Sequence, residues 1–201
     1  LNNGIRFTEN QTWQGNLTEI FRSSIALGDI DNDGDLDLAI GGSEDGNRVK
    51  TVAQVYLNTG SNFSLDFTKW QPDRIKIYRG GVVFGDVDKD NDLDLIWCGG
   101  SGTGRIINVT INTGTNLSNN NTWSNNLSGI GGCSMSLGDI DHDSDLDLVT
   151  TGRLNGNIDA AFVYINNGTT FTENQTWQGN LTGVVHASTA LGDVDNDGDL
   201  D

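Results

Sequence analysis

Apolar residues in this 201-residue chain fall in short alternating segments and not in helical spacing. Leu36, Leu38 and Ile40 alternate with other residues, so they share one face of a predicted strand. Residues 24–27 predict a strand before it, residues 52–57 a third, and the region around Phe7 a fourth. No stretch sustains apolar residues at i, i+3, i+4 and i+7 without a glycine or asparagine interrupting it. The pattern predicts an all-β chain of short strands.

Glycines punctuate this pattern after the strand that contains Leu38. We expect Gly41-Gly42, Gly99-Gly100 and Gly152 to mark a turn at the end of that strand in successive parts of the chain.

Three sequence markers recur together every 53 to 57 residues. The first is an aspartate-rich segment that follows Gly28, Gly85, Gly138 and Gly192. The second is an asparagine-glycine turn at Asn2, Asn58, Asn112 and Asn166. The third is a tryptophan fifteen residues before each motif glycine, at Trp13, Trp70, Trp123 and Trp177. The markers define about 3.7 repeats of ~54 residues in one array. The repeats are residues 1–56, 57–110, 111–164 and a truncated 165–201.

From the repeat boundaries we expect the whole protein to contain further repeats. The chain stops directly after the fourth aspartate-rich segment and starts where other repeats leave a strand, so we expect it to be a window on a longer array. Four short strands per repeat predict consecutive four-stranded propeller-type blades. These belong to a propeller or to an open linear array.

Charge narrows the range of functions. The chain holds 28 acidic against 11 basic residues, a formal charge of −17, which argues against nucleic acid and against an anionic membrane as partners. No apolar run approaches the ~20 residues of a membrane helix, and the first residues are not a signal peptide. The acid is clustered in four copies of one segment, which argues against disorder and indicates a bound cation.

Each acidic segment offers a nine-residue loop with aspartate at positions 1, 3, 5, 7 and 9. Ca²⁺ takes 6–8 oxygens at about 2.3–2.6 Å, so carboxylates at 1, 3, 5 and 9 with the carbonyl at 7 could wrap one ion per repeat, about four in all. The predicted ligands are Asp29, Asp31, Asp33, Asp35, Asp37, Asp86, Asp88, Asp90, Asp92, Asp94, Asp139, Asp141, Asp143, Asp145, Asp147, Asp193, Asp195, Asp197, Asp199 and Asp201.

Position 6 of the loop requires a sharp turn with positive φ. Gly34 and Gly198 supply it without strain, Asn91 tolerates it, and Ser144 fits least well. We therefore expect the third site to be distorted or weaker. An EF-hand needs twelve positions, a terminal glutamate and flanking helices, and Mg²⁺ prefers fewer protein oxygens, so both alternatives fit less well than calcium.

The segment Gly-Asp-x-Asp-x-Asp-Gly-Asp-x-Asp, after a leucine or phenylalanine, resembles the FG-GAP repeat and its VCBS-type relatives. That family forms the β-propeller heads of integrin α chains and occurs in microbial surface proteins. The resemblance covers all four units, although phenylalanine opens the motif only at Phe84. It implies one four-stranded blade per repeat with calcium in a hairpin. Integrin ligand binding does not carry over, because no residue here matches a binding motif.

Asparagine-linked sugars are a second expectation. The Asn-x-Ser/Thr triplets begin at Asn10, Asn16, Asn62, Asn108, Asn116, Asn120, Asn126, Asn167, Asn174 and Asn180. Asn10 and Asn16 share their register with two pairs in the third and fourth repeats. N-glycosylation explains this register, and turn asparagines copied along with the repeat are the alternative.

Other residues leave alternatives open. Cys98 and Cys133 could form a disulfide or be two small buried residues. The tryptophans could be wedges between blades or a sugar-stacking platform. His142 lies inside a loop and His186 matches Arg22, so neither has a catalytic context.

The sequence thus predicts a non-enzymatic, calcium-stabilised extracellular glycoprotein at the cell surface, with a structural or adhesive role in a stalk or filament. Its expected partners are neighbouring repeats, copies of itself, or glycans or a surface protein, without nucleic acid or membrane insertion. A lectin-like carbohydrate- or protein-binding module is the alternative. A propeller enzyme would need an acid–base or cofactor site that the repeats do not contain.

Overall fold

The computed structural model describes residues 4–5, 8–15, 17–45, 50–72 and 75–201. Nearly all regular structure in it is β. Three four-stranded antiparallel sheets follow one another along the chain and do not close on themselves. This confirms the predicted all-β class with one four-stranded sheet for each repeat length. Phe7 and Asn16, which carried predictions, lie outside the described residues.

Each sheet runs in chain order from its first strand to its fourth. The first sheet contains β1 (Phe21–Gly28), β2 (Asp37–Ser43), β3 (Thr51–Asn58) and β4 (Phe63–Leu65). The second contains β5 (Tyr78–Gly85), β6 (Asp94–Ser101), β7 (Gly104–Asn112) and β8 (Leu117–Asn119). The third contains β9 (Gly131–Gly138), β10 (Asp147–Arg153), β11 (Asp159–Asn166) and β12 (Phe171–Glu173).

Three one-turn helices complete the secondary structure: α1 (Gln11–Gln14), α2 (Asn121–Ser124) and α3 (Gln175–Gln178). An asparagine caps each helix, and in α1 the side chain of Asn10 accepts hydrogen bonds from the backbone of Thr12 and Trp13. The caps satisfy backbone donors that a helix start leaves free. Trp13, Trp123 and Trp177 are thereby held on short helices beside the sheets, whereas Trp70 is outside any helix.

The aspartate-rich loops join the first and second strands of each sheet. Residues 29–36, 86–93 and 139–146 are these hairpin connections, and the fourth loop, from Asp193 to Asp201, has no flanking strand among the described residues. A sheet spans roughly the second half of one sequence repeat and the start of the next. The sheets and the sequence repeats therefore have the same period but a different starting point.

Hydrophobic side chains fill the spaces between consecutive sheets. One cluster joins the first and second sheets and includes Ala39, Val55 and Trp97, and another joins the second and third sheets and includes Ile96 and Leu148. Leu38 and Ile40 point to the other face of the first sheet, where they form a smaller cluster with Tyr56. Neighbouring sheets bury the faces that a single sheet leaves exposed, as repeat architectures require.

A leucine-on-glycine contact recurs at each junction. A Cβ on Gly28 would lie 2.9 Å from both Phe84 and Leu93, and one on Gly85 would lie 2.5 Å from Leu137. The glycine that precedes each of the first three aspartate loops therefore contacts two apolar side chains of the next unit. Leu36 is exposed, unlike Leu38 and Ile40, because it lies in the aspartate loop before β2, where the equivalent leucines of later units pack on the glycine of the preceding unit.

The glycines expected to end the second strand lie inside it instead. Gly41, Gly99 and Gly152 belong to β2, β6 and β10. A Cβ on Gly41 would come within 2.4 Å of Ile77 on the neighbouring unit. Close approach between sheets, and not a turn, is the physical reason for these residues, so the turn prediction was wrong.

Two further contacts join the sheets. Cys98 on β6 and Cys133 on β9 form a disulfide, which decides between the two alternatives for the cysteines. Trp123 is buried and meets the edge of Phe171 on β12, with ring centroids 5.3 Å apart. Trp70 is also buried in an inter-sheet cluster. These positions support the wedge interpretation of the repeated tryptophan.

Candidate metal centres in the aspartate loops

Two residues in each loop adopt the left-handed conformation. Position 6 has positive φ at Gly34 (93°), Asn91 (71°), Ser144 (72°) and Gly198 (97°), as the sequence predicts. Position 4 is left-handed as well, at Asn32 (59°), Lys89 (61°), His142 (63°) and Asn196 (65°). Non-glycine residues adopt this conformation at a cost of roughly 1–2 kcal/mol each, so the loop must contain interactions that hold it.

The first aspartate of the loop provides one of those interactions. Both carboxylate oxygens of Asp29 accept backbone hydrogen bonds, from Asp33 (3.1 Å) and from Gly34 (2.9 Å). Asp86, Asp139 and Asp193 accept the equivalent pair in their loops. Position 1 therefore folds the backbone of its loop inward and brings the other carboxylates towards it.

In the first three loops the ninth aspartate closes the loop from a buried position. Asp37, Asp94 and Asp147 are fully buried, and Asp37 accepts one hydrogen bond from Ile30 N (2.9 Å) and one from Asn58 N (2.7 Å). Removal from water raises the pKa of Asp37 to about 6 and that of Asp94 to about 7, although these hydrogen bonds pull in the opposite direction. Burial also raises the pKa of Asp147.

In the first two loops, the aspartate at position 3 has a carboxylate oxygen without a hydrogen-bond donor in the described part of the chain. Oδ1 of Asp31 and Oδ1 of Asp88 are buried and, among the described residues, have no hydrogen-bond donor. Burial first, and then the neighbouring charge of Asp33 or Asp90, raises the pKa of each carboxyl. A buried carboxylate oxygen without a donor is costly, and a bound cation would offset that cost.

The structure brings carboxylates of every loop together. One oxygen from each of three aspartates lies within 4.8 Å of the other two at positions 1, 3 and 5 of the first, second and fourth loops, and at positions 1, 3 and 9 of the third. The clusters are Asp29, Asp31 and Asp33; Asp86, Asp88 and Asp90; Asp139, Asp141 and Asp147; and Asp193, Asp195 and Asp197. An all-oxygen set with an undonated buried oxygen fits a hard divalent cation.

Ser144 does not disturb the backbone of the third loop. Ser144 N donates to Asp139 over 3.0 Å, where Gly34 N donates to Asp29 over 2.9 Å. Asp145 N donates to Asp143 over 2.8 Å, and the matching bond from Asp35 to Asp33 is 2.9 Å. The distortion expected at this loop is not present in its hydrogen bonds, while a weaker affinity for metal remains a prediction.

Position 7 has a second role that the sequence did not indicate. The residue at position 4 of one loop contacts the position-7 aspartate of the next: Asn32 donates to Asp92 (2.6 Å), Lys89 pairs with Asp145 (2.5 Å), and Nε2 of His142 lies 3.6 Å from Asp199 and 3.0 Å from the carbonyl of Gly198. The four loops are therefore joined in a row by their side chains.

Asn112 and Asn166, which the sequence marks only by their register, hold neighbouring loops together. Both are fully buried. Nδ2 of Asn112 donates to the carbonyl of Ile30 in the preceding loop (2.8 Å), and Nδ2 of Asn166 donates to Val87 in the same way. Each backbone N–H binds the position-9 aspartate of its own unit. Their strict register with the loops was the available signal.

The predicted glycosylation asparagines occupy positions that differ in exposure and hydrogen bonding. Asn10, Asn120 and Asn174 cap the short helices through Oδ1. Asn108 lies within β7, and Nδ2 of Asn126 donates to the carbonyl of Phe171. Asn116, Asn167 and Asn180 are exposed, while Asn62 is half-buried and accepts a hydrogen bond from Thr59. The exposed group presents the most accessible acceptors.

The sheets and their loops define a class of protein, a β-repeat protein with an aspartate cluster at the same hairpin of each unit. The FG-GAP-like repeat model matches residues 29–97 and 139–201, which together make up more than half of the chain. The chain belongs to the FG-GAP-like repeat family. This confirms the resemblance drawn from the loops, and such repeats are often calcium-binding and typical of extracellular proteins. A search of curated proteins finds no match.

Among the described residues, no helix is both long and apolar enough to cross a membrane.

Proposed function

We propose that this chain is a non-enzymatic, calcium-stabilised extracellular repeat glycoprotein with a structural or adhesive role. The observation that carries the proposal is the same carboxylate cluster in four loops, with a buried, undonated oxygen at Asp31 and Asp88. The other loop carboxylates hold the backbone or contact the neighbouring loop. The aspartates therefore favour the binding of a structural ion over acid–base catalysis.

Calcium would neutralise carboxylates that repel one another in the folded chain. Burial raises the pKa of five of them, so the folded state without metal contains charges that are poorly solvated. An ion that binds only the folded state stabilises it by mass action. Folding stability should therefore depend on calcium concentration.

A thermal melt tests this coupling. We expect a higher melting temperature in millimolar calcium than in chelator, and a smaller difference after Asp31→Asn or Asp88→Asn. Glu19→Gln, which removes one exposed carboxylate outside the loops, is the matched control and should keep the full calcium effect. A transition that is unchanged by chelator would refute the proposed role of calcium.

Glycosylation and an extracellular, cell-surface location are part of the same proposal. The disulfide between Cys98 and Cys133 is typical of oxidising compartments, and Asn116, Asn167 and Asn180 are exposed acceptors. Peptide mass spectrometry of protein secreted by eukaryotic cells, before and after enzymatic deglycosylation, checks this. We expect occupancy at these three positions first. Unmodified peptides at all three would contradict the glycoprotein assignment.

Self-association is the structural role that the molecule supports best. The pair Leu27 and Leu36 is 57% and 55% exposed, although the same pair seats on a glycine at each internal junction. Gly192 has nothing within 4 Å of its Cβ position. A motif glycine of a further repeat or of a second copy would cover the exposed leucines, and the same contact between copies would generate rings or filaments.

Sedimentation measures this contact. We expect concentration-dependent oligomers in calcium, which Leu27→Asp with Leu36→Asp abolishes. Phe67→Asp, at an exposed apolar residue outside this surface, is the control. Monomers at all concentrations would contradict the self-association.

The lectin-like alternative requires tryptophan rings that are free to stack on a sugar, and three of the four repeated tryptophans pack against other residues instead. Trp13 meets the edge of Phe63 (5.4 Å), while Trp70 and Trp123 are buried. Trp177 is 40% exposed. Unchanged glycan binding after Trp177→Ala would exclude the tryptophan as a sugar platform.

A further inference from the structure

Basic residues gather at the end of the sheets away from the aspartate loops. Arg22, Arg79, Arg105 and Arg153 line two adjacent cavities of about 420 Å³ and 320 Å³, which share Arg79, Gly132 and His186. They are four of the eleven lysines and arginines in a chain of net charge −17. Among the described residues, neither cavity is lined by an aspartate or glutamate. The cavities therefore form a positively charged region in an acidic protein.

The backbone aims one residue of each unit at this region. Arg22, Arg79, Gly132 and His186 stand six residues before the motif glycine of their repeats and all have positive φ, between 51° and 60°. The pairing register of the first strand shifts beside Arg22, and beside Arg79 in the second sheet. Bulges of this kind redirect side chains. Two arginines and a histidine adopt a strained conformation where glycine would be free of strain, which indicates a functional demand on their side chains.

The arginines differ in their remaining capacity for a ligand. Arg153 donates twice to Asp159, and Arg22 donates to Tyr78 Oη (2.6 Å). Arg105 donates to Asn157 (3.3 Å), and the guanidinium of Arg79 lies 5.2 Å from the centre of the Tyr78 ring. No ion pair within the described ranges involves Arg79 or Arg105. These two guanidinium groups retain donors for an anion.

The rest of the lining indicates the kind of anion. Asn155 and Asn157 offer amides, and Gly104, Gly131 and Gly156 expose backbone without side chains. Apolar side chains are scarce in both cavities, whereas protein interfaces depend on aromatic and other large apolar anchors. A volume of about 420 Å³ is in the usual range for a small ligand. A hydroxyl-rich ligand with a carboxylate matches this surface better than a peptide does.

We propose that the two cavities bind an acidic saccharide, with Arg79 and Arg105 donating hydrogen bonds to its carboxylate and Asn155 and Asn157 contacting its hydroxyls. This goes beyond the structural role proposed above and uses none of the loop aspartates. It also assigns sugar binding to a part of the molecule that is separate from the tryptophans. Arg22 holds Tyr78, and Arg79 lies against the face of the same ring.

Calorimetry with a pair of simple ligands tests the site on the full chain in calcium. Methyl glucuronoside carries the carboxylate, and methyl glucoside is its neutral match. We expect binding of the first only, weakened by salt. Arg79→Gln or Arg105→Gln should weaken it at least about tenfold, the loss of one charge-assisted hydrogen bond. Lys69→Gln, which removes an exposed charge outside both cavities, should leave binding unchanged.

Equal binding of the two ligands, or equal binding by Arg79→Gln and Lys69→Gln, would overturn the proposal. If Arg79→Gln instead abolishes self-association in sedimentation and leaves glucuronoside binding intact, the cluster is a protein contact and the saccharide site is wrong. The calcium-dependent melting temperature of each variant is measured in parallel. If a variant loses glucuronoside binding but its melting temperature still rises in calcium, the loss concerns the saccharide site and not the proposed structural role.

Discussion

Lys89 in the second aspartate loop lies 2.5 Å from Oδ1 of Asp145 in the third. The lysine is about half exposed and the aspartate largely buried. The adjacent carboxylate raises the pKa of Lys89 through their hydrogen bond, so the lysine is fully charged at neutral pH. Lys89 thus places positive charge from one repeat in the acidic cluster of the next.

Removal of this charge should affect the third loop more than the second. We expect Lys89→Gln to cause a small decrease in the melting temperature, because exposed ion pairs contribute little. A double-mutant cycle with Asp145→Asn measures the coupling between the two side chains. Lys69→Gln is the control outside the loops. Additive effects of the two changes would show that the pair contributes no interaction energy.

The glycine that precedes each loop provides a matched comparison. Gly85→Ala should destabilise the protein by about 1 kcal/mol, the lower end of the range for overpacking, because the new Cβ would lie 2.5 Å from Cδ1 of Leu137, a side-chain end that must shift. Gly192→Ala makes the same change in the same motif where nothing lies within 4 Å, so its effect should stay within about 0.5 kcal/mol. Urea unfolding measures both. Similar losses for the two variants would contradict the inter-sheet contact.

Asn166 connects two loops from a fully buried position. Asn166→Ala removes the donor to Val87 O and Leu146 O and should cost about 1–3 kcal/mol through the unsatisfied carbonyls. Asn121→Ala, on the exposed surface of α2, should stay within about 0.5 kcal/mol. Equilibrium unfolding in calcium checks the difference. If Asn166→Ala were as stable as the control, the buried amide would not hold the loops together.

The disulfide closes a stretch of 35 residues between two sheets. In the chain-entropy model a loop of this length contributes about 3–4 kcal/mol. We expect Cys98→Ser with Cys133→Ser to lower the free energy of unfolding by about that amount. A reductant should destabilise the unmodified protein and leave the double variant unaffected. A reductant effect of equal size in both would have a cause other than this bond.

The loops were predictable from sequence because their chemistry is local. Alternating aspartates around Gly34 determine both the turn and the ligand cluster within nine residues, so no knowledge of distant contacts was needed. The strands around Leu38 and Ile40 were predictable for the same reason. The family resemblance followed from these residues alone.

Contacts between repeats were harder to predict. Glycine is common in turns, so the sequence predicted turns at Gly41 and Gly152. Only the packing of the neighbouring sheet shows why a side chain is excluded there. Asn112 was visible as a marker, but its bond to Ile30 joins residues 82 positions apart. The role of Arg22 and Arg79 was also hidden, because their common register has glycine in the third repeat and histidine in the fourth.

The bond between Cys98 and Cys133 also sets how far the molecule can be stretched. A chain pulled from its two ends lengthens by at most about 3.3–3.6 Å for each residue released. While the disulfide is intact, the segment between the two cysteines, which are 35 positions apart, cannot extend. This shortens the maximum length of the pulled chain by roughly 120 Å. A fibre built from such chains would be less extensible when the two cysteines are oxidised. Reduction of this one bond in each chain would allow the additional extension.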